Sequence, residues 1–224
     1  MGTHIELTAA DGHRLAAYCA DPAGKPRGAL VVVQEIFGVN SHIRGVADGY
    51  AADGYFAIAP ALFDRTERGV EIGYSQPEID RGRAIMQKLS MDNALKDVAA
   101  AVAFAAAATG KSVGIVGYCW GGTVAWVAAA KLGGLACSAP YYGGGILANK
   151  ELKPRCPVLL HFGETDHAIP IGEVRAWLAA RPELAAHVYA AGHGFNCDQR
   201  GSYHADSAKL ARSRTLEFFR KHLG

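Results

Sequence analysis

Residues 112–122 have the sequence SVGIVGYCWGG, the pattern of a strand, a tight turn and the start of a helix. The apolar, β-branched run at 113–116 predicts a buried strand, and the Ala-rich segment 123–131 predicts a helix. Between them, residues 117–121 form Gly-x-Cys-x-Gly, the spacing of a nucleophile elbow with cysteine at its centre. A sharp strand-to-helix turn strains its central residue, and flanking glycines let the strand and the helix approach closely. The stretch therefore predicts an α/β fold that presents a cysteine at a turn.

The turn places the thiol of Cys119 at the N-terminus of the predicted helix. There the helix dipole and the free backbone N–H groups favour the thiolate, which is the nucleophilic form. The alternative interpretation is that Cys119 is a small buried apolar side chain, as most lone cysteines are.

The composition is that of an ordinary globular protein: 224 residues, half of them hydrophobic, with a net charge of +2. We expect a single domain spanning residues 1–224. Without a basic cluster or an apolar run of membrane-spanning length, we expect neither a nucleic-acid nor a membrane partner. The N-terminus lacks the pattern of a signal peptide. Five cysteines without CxxC spacing argue against a disulfide framework or a zinc site, and suit the reducing cytoplasm.

Apolar runs and turn signals predict alternating strands and helices along the chain. An N-terminal hairpin, a long loop at 62–76 and a mostly parallel sheet with helices on both faces are expected. The predicted strands are 4–8, 14–20, 29–34, 55–59, 113–116, 135–140, 157–163 and 186–190, and the predicted helices are 41–53, 79–89, 91–108, 123–131, 172–178 and 202–222.

In such sheets, catalytic groups lie on loops beyond the carboxyl ends of the strands. Asp166 follows the strand predicted at 157–163, and His193 follows the strand predicted at 186–190. The order Cys119, Asp166, His193 is the nucleophile–acid–base order of α/β-hydrolases. His193 would accept the thiol proton, or balance the thiolate as an imidazolium, while Asp166 would fix the orientation of its ring.

Each of these partners has an alternative. Glu164 and His167 lie close to Asp166 in sequence and are ranked below the chosen pair. Taken singly, Asp166 is also typical of a turn carboxylate, and His193 of a surface or core histidine.

Two backbone N–H groups are candidates for an oxyanion hole, those of Trp120 after the nucleophile and Ile36 after the strand at 29–34. Glu35, at the end of that apolar strand, must be partnered or functional because burying a lone carboxylate is costly. It would lie beside Cys119 if the two strands are neighbours.

Three motifs together resemble the dienelactone hydrolase family: QEIFGVN at 34–40, GYCWGG at 117–122 and GHGF at 192–195. The YYG sequence at 141–143 and the DGH turn at 11–13 also fit. The resemblance covers essentially the whole chain. It implies an α/β-hydrolase fold and hydrolysis of dienelactone to maleylacetate, a step of chloroaromatic degradation, without a metal or cofactor.

The resemblance also implies site residues. Cys119, His193 and Asp166 would form the catalytic triad, with a thioacyl-enzyme intermediate. The glutamate matching Glu35 pairs with the resting thiol in the family and is displaced when substrate binds. Three aromatic side chains are expected to contact substrate: Phe37, Tyr142 and Phe195.

The chain departs from the family where the substrate carboxylate is bound. Family members typically carry Ser after the catalytic His and Arg three positions later, but this chain has Gly194 and Cys197. Arg81 matches another substrate arginine of the family, and Arg83 competes with it. Arg200, in the loop after the histidine, is a candidate to replace the missing guanidinium.

The sequence thus predicts a cytoplasmic, cofactor-free cysteine hydrolase, monomeric or weakly oligomeric, that acts on a small ester or lactone. One alternative is an esterase or thioesterase for a different, uncharged acyl substrate. A second is a non-catalytic α/β-hydrolase-like protein that binds a small ligand. A third, a redox-sensing Cys119, is disfavoured because no resolving cysteine is close in sequence.

Overall fold

The computed structural model describes residues 2–224, which contain one eight-stranded sheet. The strand order is β1-β2-β4-β3-β5-β6-β7-β8. The first pairings, β1 with β2 and β2 with β4, are antiparallel, and the others are parallel, which confirms the predicted mostly parallel sheet. The strands are β1 (Thr3–Thr8), β2 (Arg14–Ala20), β3 (Ala29–Val33), β4 (Phe56–Pro60), β5 (Val113–Tyr118), β6 (Leu135–Tyr141), β7 (Leu159–Gly163) and β8 (Ala185–Tyr189).

Helices cover both faces of the sheet, as predicted for this α/β fold. Helices α1 and α6 contact each other through Tyr50 and Phe219, and α4 contacts α5 through Trp126 and Trp177. The helices are α1 (Ser41–Ala52), α2 (Gln76–Gln87), α3 (Met91–Thr109), α4 (Trp120–Lys131), α5 (Ile171–Ala179) and α6 (Ala205–Leu223).

The apolar strands β3 and β5 lie side by side in the middle of the sheet, and all of their residues are buried. Their adjacency places the loop after β3 next to the turn after β5, so that Glu35 and Ile36 approach Cys119. Within residues 2–224, no helix is both long and apolar enough to cross a membrane. The single-domain assignment stays a prediction.

Helices α1 and α3 begin at residues 41 and 91, as predicted, and the side chains of Asn40 and Ser90 accept backbone N–H groups of the first turns, from Ile43 and Asn93 respectively. The predicted loop at 62–76 differs from the structure, which forms a 3₁₀ helix at Leu62–Arg65 and starts α2 at Gln76. Helix α2 begins earlier than predicted because the Glu78 carboxylate accepts the backbone N–H of Ser75 at 3.0 Å, as in a capping box.

Candidate active site

Cys119 sits between β5 and α4 in a strained backbone conformation, with φ 55° and ψ −119°. Its N–H donates to the carbonyl of Tyr141 on the neighbouring strand at 3.1 Å. A Cβ atom on Gly117 would lie 2.0 Å from the Gly121 carbonyl oxygen, and one on Gly121 would lie 2.4 Å from the Gln34 carbonyl oxygen. Both glycines are therefore required by close approach of the backbone, as the elbow pattern predicts.

The structure brings Cys119, His193 and Asp166 together in one hydrogen-bonded chain. The Nε2 atom of His193 lies 3.1 Å from the Cys119 Sγ, and its Nδ1 lies 2.7 Å from Asp166 Oδ2. The other Asp166 oxygen accepts the Ala168 N–H at 2.8 Å, which fixes the carboxylate. These groups follow β5, β8 and β7, at the carboxyl ends of parallel strands. The arrangement has the geometry of a nucleophile, a base and an orienting acid.

The two lower-ranked alternatives point elsewhere. Glu164 pairs with Arg175 on α5, and His167 is exposed. Neither lies in the hydrogen-bonded chain of Cys119.

The His193 ring favours its protonated form. Burial opposes protonation, but the hydrogen bonds to Asp166 and Cys119 and the negative charges of these groups outweigh it, raising the pKa of His193 to about 10.

A cavity of about 410 Å³ opens onto the Sγ atom. Ile36 and Trp120 both line it. Trp120 is the first residue of α4, so its N–H has no acceptor within the helix and is available to an oxyanion. Further lining residues are Phe37, Ile79, Arg83, Met86, Thr123, Gly144, Gly145, Ala168, His193 and Arg200.

Of the three aromatic side chains predicted to contact substrate, one lines the cavity and two lie behind its surface. Phe37 lines the cavity. Tyr142 is fully buried, with a positive φ of 35° and its ring 5.2 Å from that of His193, and its hydroxyl has no partner within residues 2–224. Phe195 packs against Tyr142 at 5.3 Å and lies behind it rather than on the cavity surface. Tyr142 therefore packs against the His193 ring, and Phe195 packs against Tyr142.

The two candidate arginines of α2 differ in whether they reach the cavity. Arg81 is exposed and pairs with Glu67, away from the cavity, whereas Arg83 lines it. Ile79, Arg83 and Met86 have the i, i+4, i+7 spacing of one helix face, and that face forms a wall of the cavity. Met86 was missed by sequence reasoning, although this spacing was present to indicate it.

Arg200 reaches the cavity from the loop after His193 and forms an ion pair with Glu35. Its Nη1 donates to Glu35 Oε1 at 3.1 Å, and Glu35 is 1% exposed. A Cβ atom on Gly194 would lie 2.4 Å from that Nη1, so the glycine provides the space that the guanidinium occupies. Phe37 and Tyr74 lie beneath the guanidinium, at 5.5 and 5.9 Å from its carbon.

The resemblance implies that Glu35 pairs with the resting thiol. In the part of the chain that the structure describes, the Glu35 carboxylate instead bonds to Arg200 and makes no hydrogen bond to Cys119. Its Oε2 atom is buried and unpartnered. The carboxylate is thus held beside the site by a guanidinium and not by the thiol.

Comparisons with known proteins identify the family of the chain. The model of the dienelactone hydrolase family matches residues 15–223. Carboxymethylenebutenolidases of Pseudomonas putida and of Pseudomonas knackmussii are each 35% identical to the chain over 227 residues, covering 96% of it and 94% of the relative. A solved structure from Klebsiella pneumoniae, provisionally named a dienelactone hydrolase, superposes with a TM-score of 0.82 at 32% identity, covering 97% of this chain and 98% of that one. Because the family match spans nearly the whole chain and these relatives align along almost their entire length, this chain is a hydrolase that belongs to the dienelactone hydrolase family.

Proposed function

We propose that Cys119 is the nucleophile of a Cys–His–Asp triad that opens an enol-lactone such as dienelactone to maleylacetate. The observation that carries the proposal is the continuous contact from Sγ to His193, at 3.1 Å, and from His193 to Asp166, at 2.7 Å. A nucleophile, base and orienting carboxylate in hydrogen-bond reach of one another serve acyl transfer and have no use in a simple binding site. The names of the relatives support the substrate class.

The reaction would proceed in two halves. The Cys119 thiolate attacks the lactone carbonyl, the N–H groups of Trp120 and Ile36 hold the developing oxyanion, and the ring C–O bond breaks. The enolate so released takes the proton of the His193 imidazolium and becomes the ketone of the product. Neutral His193 then removes a proton from water, which attacks the thioester and expels the thiolate. The net change is addition of one water molecule to the lactone.

Arg200 would bind the carboxylate of the substrate, in place of the arginine that the family carries where this chain has Cys197. The guanidinium lines the cavity and is 17% exposed, so a carboxylate in the cavity can reach it. A bound carboxylate would compete with Glu35 for Arg200, which links substrate binding to the position of Glu35. Arg83, on the wall of the cavity formed by α2, would be a second source of positive charge.

A reducing compartment such as the cytoplasm is part of the proposal. All five cysteines, which lie in the described part of the chain, are free, and the proposed nucleophile must stay reduced.

The test is steady-state hydrolysis of cis- and trans-dienelactone by wild type and by Cys119→Ala, followed as loss of the conjugated chromophore. We expect kcat/KM above about 10⁴ M⁻¹s⁻¹ for wild type and no turnover for the variant. Turnover that survives in Cys119→Ala would refute the proposed nucleophile.

Simple aryl esters separate the remaining alternatives. Cys119-dependent hydrolysis of aryl esters without lactone turnover would retain the triad and replace the lactone by an uncharged acyl substrate, which the mostly apolar lining of the cavity also suits. A protein that turns over neither class, with a Cys119 thiol that reacts with iodoacetamide no faster than Cys156, would be a ligand-binding relative.

A further inference from the structure

A second group of reactive side chains lies buried beside the active-site cavity. Glu35, His42 and Cys197 are all buried, and one possible ligand atom from each lies within 4.8 Å of the other two. The group is brought together by the loop after β3, the first turn of α1 and the loop after His193. None of these atoms takes part in the hydrogen-bonded chain of Cys119.

Two atoms of this group are buried without a hydrogen-bond partner in residues 2–224: Oε2 of Glu35 and Nε2 of His42. Burying a polar atom without a partner costs free energy, so native proteins seldom do it without a reason. The opposite nitrogen of His42, Nδ1, lies 3.0 Å from Asp198 Oδ1. A carboxylate that holds one ring nitrogen while the other faces inward is the arrangement that orients histidines for metal ions.

We propose that Glu35, His42 and Cys197 bind one divalent cation of the zinc type. A thiolate, an imidazole and a carboxylate are typical Zn²⁺ ligands, and Co²⁺ accepts the same set. Because the three atoms lie within 4.8 Å of one another, each would move inward by at most roughly 0.6 Å to reach Zn²⁺ bond lengths. Binding breaks the S–H bond of Cys197 and releases its proton to solvent, and water completes the coordination; nothing is oxidised or reduced.

One member of this group, His42, borders a second cavity that does not include Cys119. His42 and Asp198 line a separate cavity of about 470 Å³ that also contacts Ser41, Gln199 and Tyr203. An ion could therefore enter along the His42 ring without passing Cys119.

Arg200 opposes the cation, because its guanidinium already holds Glu35 Oε1 at 3.1 Å. With a thiolate at Cys197, the two anions balance the divalent ion, and the charge of the Arg200 guanidinium is left without a counter-charge. Removing the guanidinium should therefore tighten metal binding. If Glu35, His42 and Cys197 had only a structural role, its removal would have no such effect. We expect Arg200→Gln to bind Co²⁺ at least about tenfold more tightly than wild type.

The experiment is a Co²⁺ titration of the full chain, followed by the thiolate-to-cobalt charge-transfer band. Cys119 and His193 are another thiol–imidazole pair, so Cys119→Ala is titrated beside wild type. We expect one equivalent of Co²⁺ to bind to both, and Cys197→Ser to weaken binding at least about 100-fold. Cys156→Ser, which alters a half-buried thiol elsewhere, is the matched control and should bind like wild type.

Asp198→Asn provides a second variant that leaves the buried side chains intact, since its carboxylate is largely exposed. We expect it to weaken Co²⁺ binding about tenfold. A band lost in Cys119→Ala but kept in Cys197→Ser would overturn the proposal, as would the absence of any band at millimolar Co²⁺. Because the readout is metal binding, these results are independent of whether the protein hydrolyses a lactone.

Discussion

Replacing Gly194 with alanine should push Arg200 away from Glu35. The new Cβ atom would lie 2.4 Å from Arg200 Nη1 and 2.8 Å from its Cζ, far inside van der Waals contact. The backbone of Gly194 also has a φ of +76°, which an alanine adopts only under strain. The three atoms nearest to this Cβ all belong to the flexible Arg200 side chain, so we expect the guanidinium to move and Glu35 to lose its partner.

The expected cost has two parts. Holding an alanine in the left-handed region costs about 1 kcal/mol. Deleting one member of a buried ion pair costs about 3–5 kcal/mol, and displacing it should cost at least about 2 kcal/mol, because Glu35 is 1% exposed and cannot reach water. A total of about 3 kcal/mol corresponds to a fall in Tm of roughly 6–12 °C for a chain of this length.

The same change should weaken binding of a carboxylated substrate. A hydrogen bond to a charged group contributes about 1.5–3 kcal/mol, so KM for the lactone should rise roughly tenfold to a hundredfold, while KM for a neutral aryl ester should change little. Steady-state kinetics with both substrates and thermal unfolding by circular dichroism measure these effects.

Two glycines provide controls. Gly24 has a φ of +92° and no neighbour within 4 Å, so Gly24→Ala reports the backbone strain alone. Gly201 lies in the same loop as Arg200, has no positive φ and has open space around it, so Gly201→Ala should change nothing. If Gly194→Ala loses no more stability than Gly24→Ala and keeps the wild-type KM, the assignment of Arg200 to the site is wrong.

Four further outcomes follow from the site. Arg200→Gln should raise KM for the lactone at least about tenfold, while Arg81→Gln, whose native side chain pairs with Glu67 outside the cavity, should leave initial rates unchanged. The imidazole of His193 should titrate near pH 10 by NMR, and its pKa should fall in Cys119→Ala because the hydrogen bond between Nε2 and Sγ is lost; the same pKa in both proteins would contradict that contact. Since this pKa is raised on folding, the His193 contribution to stability is complete below about pH 6.5 and disappears as the pH rises through about 10, which unfolding at several pH values will show. Asp166→Asn should lower kcat at least about 100-fold with little change in KM, because a neutral amide cannot balance the charge of the imidazolium.

The sheet and the proposed triad could be predicted from the sequence because short sequence patterns indicate them. The apolar runs of β3 and β5 need no partner to be recognised, and the glycines at 117 and 121 are required by contacts within the turn itself. His193 and Asp166 could be found because parallel strands bring their carboxyl ends to one edge, so that position after a strand predicts position in space.

Local signals were also present where the predictions differ from the structure. Ser75 and Glu78 have the spacing of a capping box, which places the start of α2 at Gln76. On a helix, a residue lies on the same face as the residue four positions later, but not as the one two positions later. Arg83 therefore faces the cavity together with Ile79, whereas Arg81 does not.

The pairing of Glu35 with Arg200, 165 residues away, had no such signal. It depends on the space at Gly194, which only the folded loop reveals. The approach of Cys197 to His42 is similar, because spacing rules for metal sites apply to ligands on one short segment, and these come from distant loops.

The edge position of β8 has a consequence for how the protein loses activity on heating. Strand β8 pairs only with β7, and just one of its five residues is buried, whereas β5, which leads to Cys119, is buried throughout. Edge elements open with less free energy than the whole sheet needs to unfold. His193 can therefore leave Cys119 while the rest of the sheet is still assembled. Catalysis should then have a lower midpoint temperature than the far-ultraviolet circular dichroism signal, and activity should return on cooling as long as β5 has stayed in place.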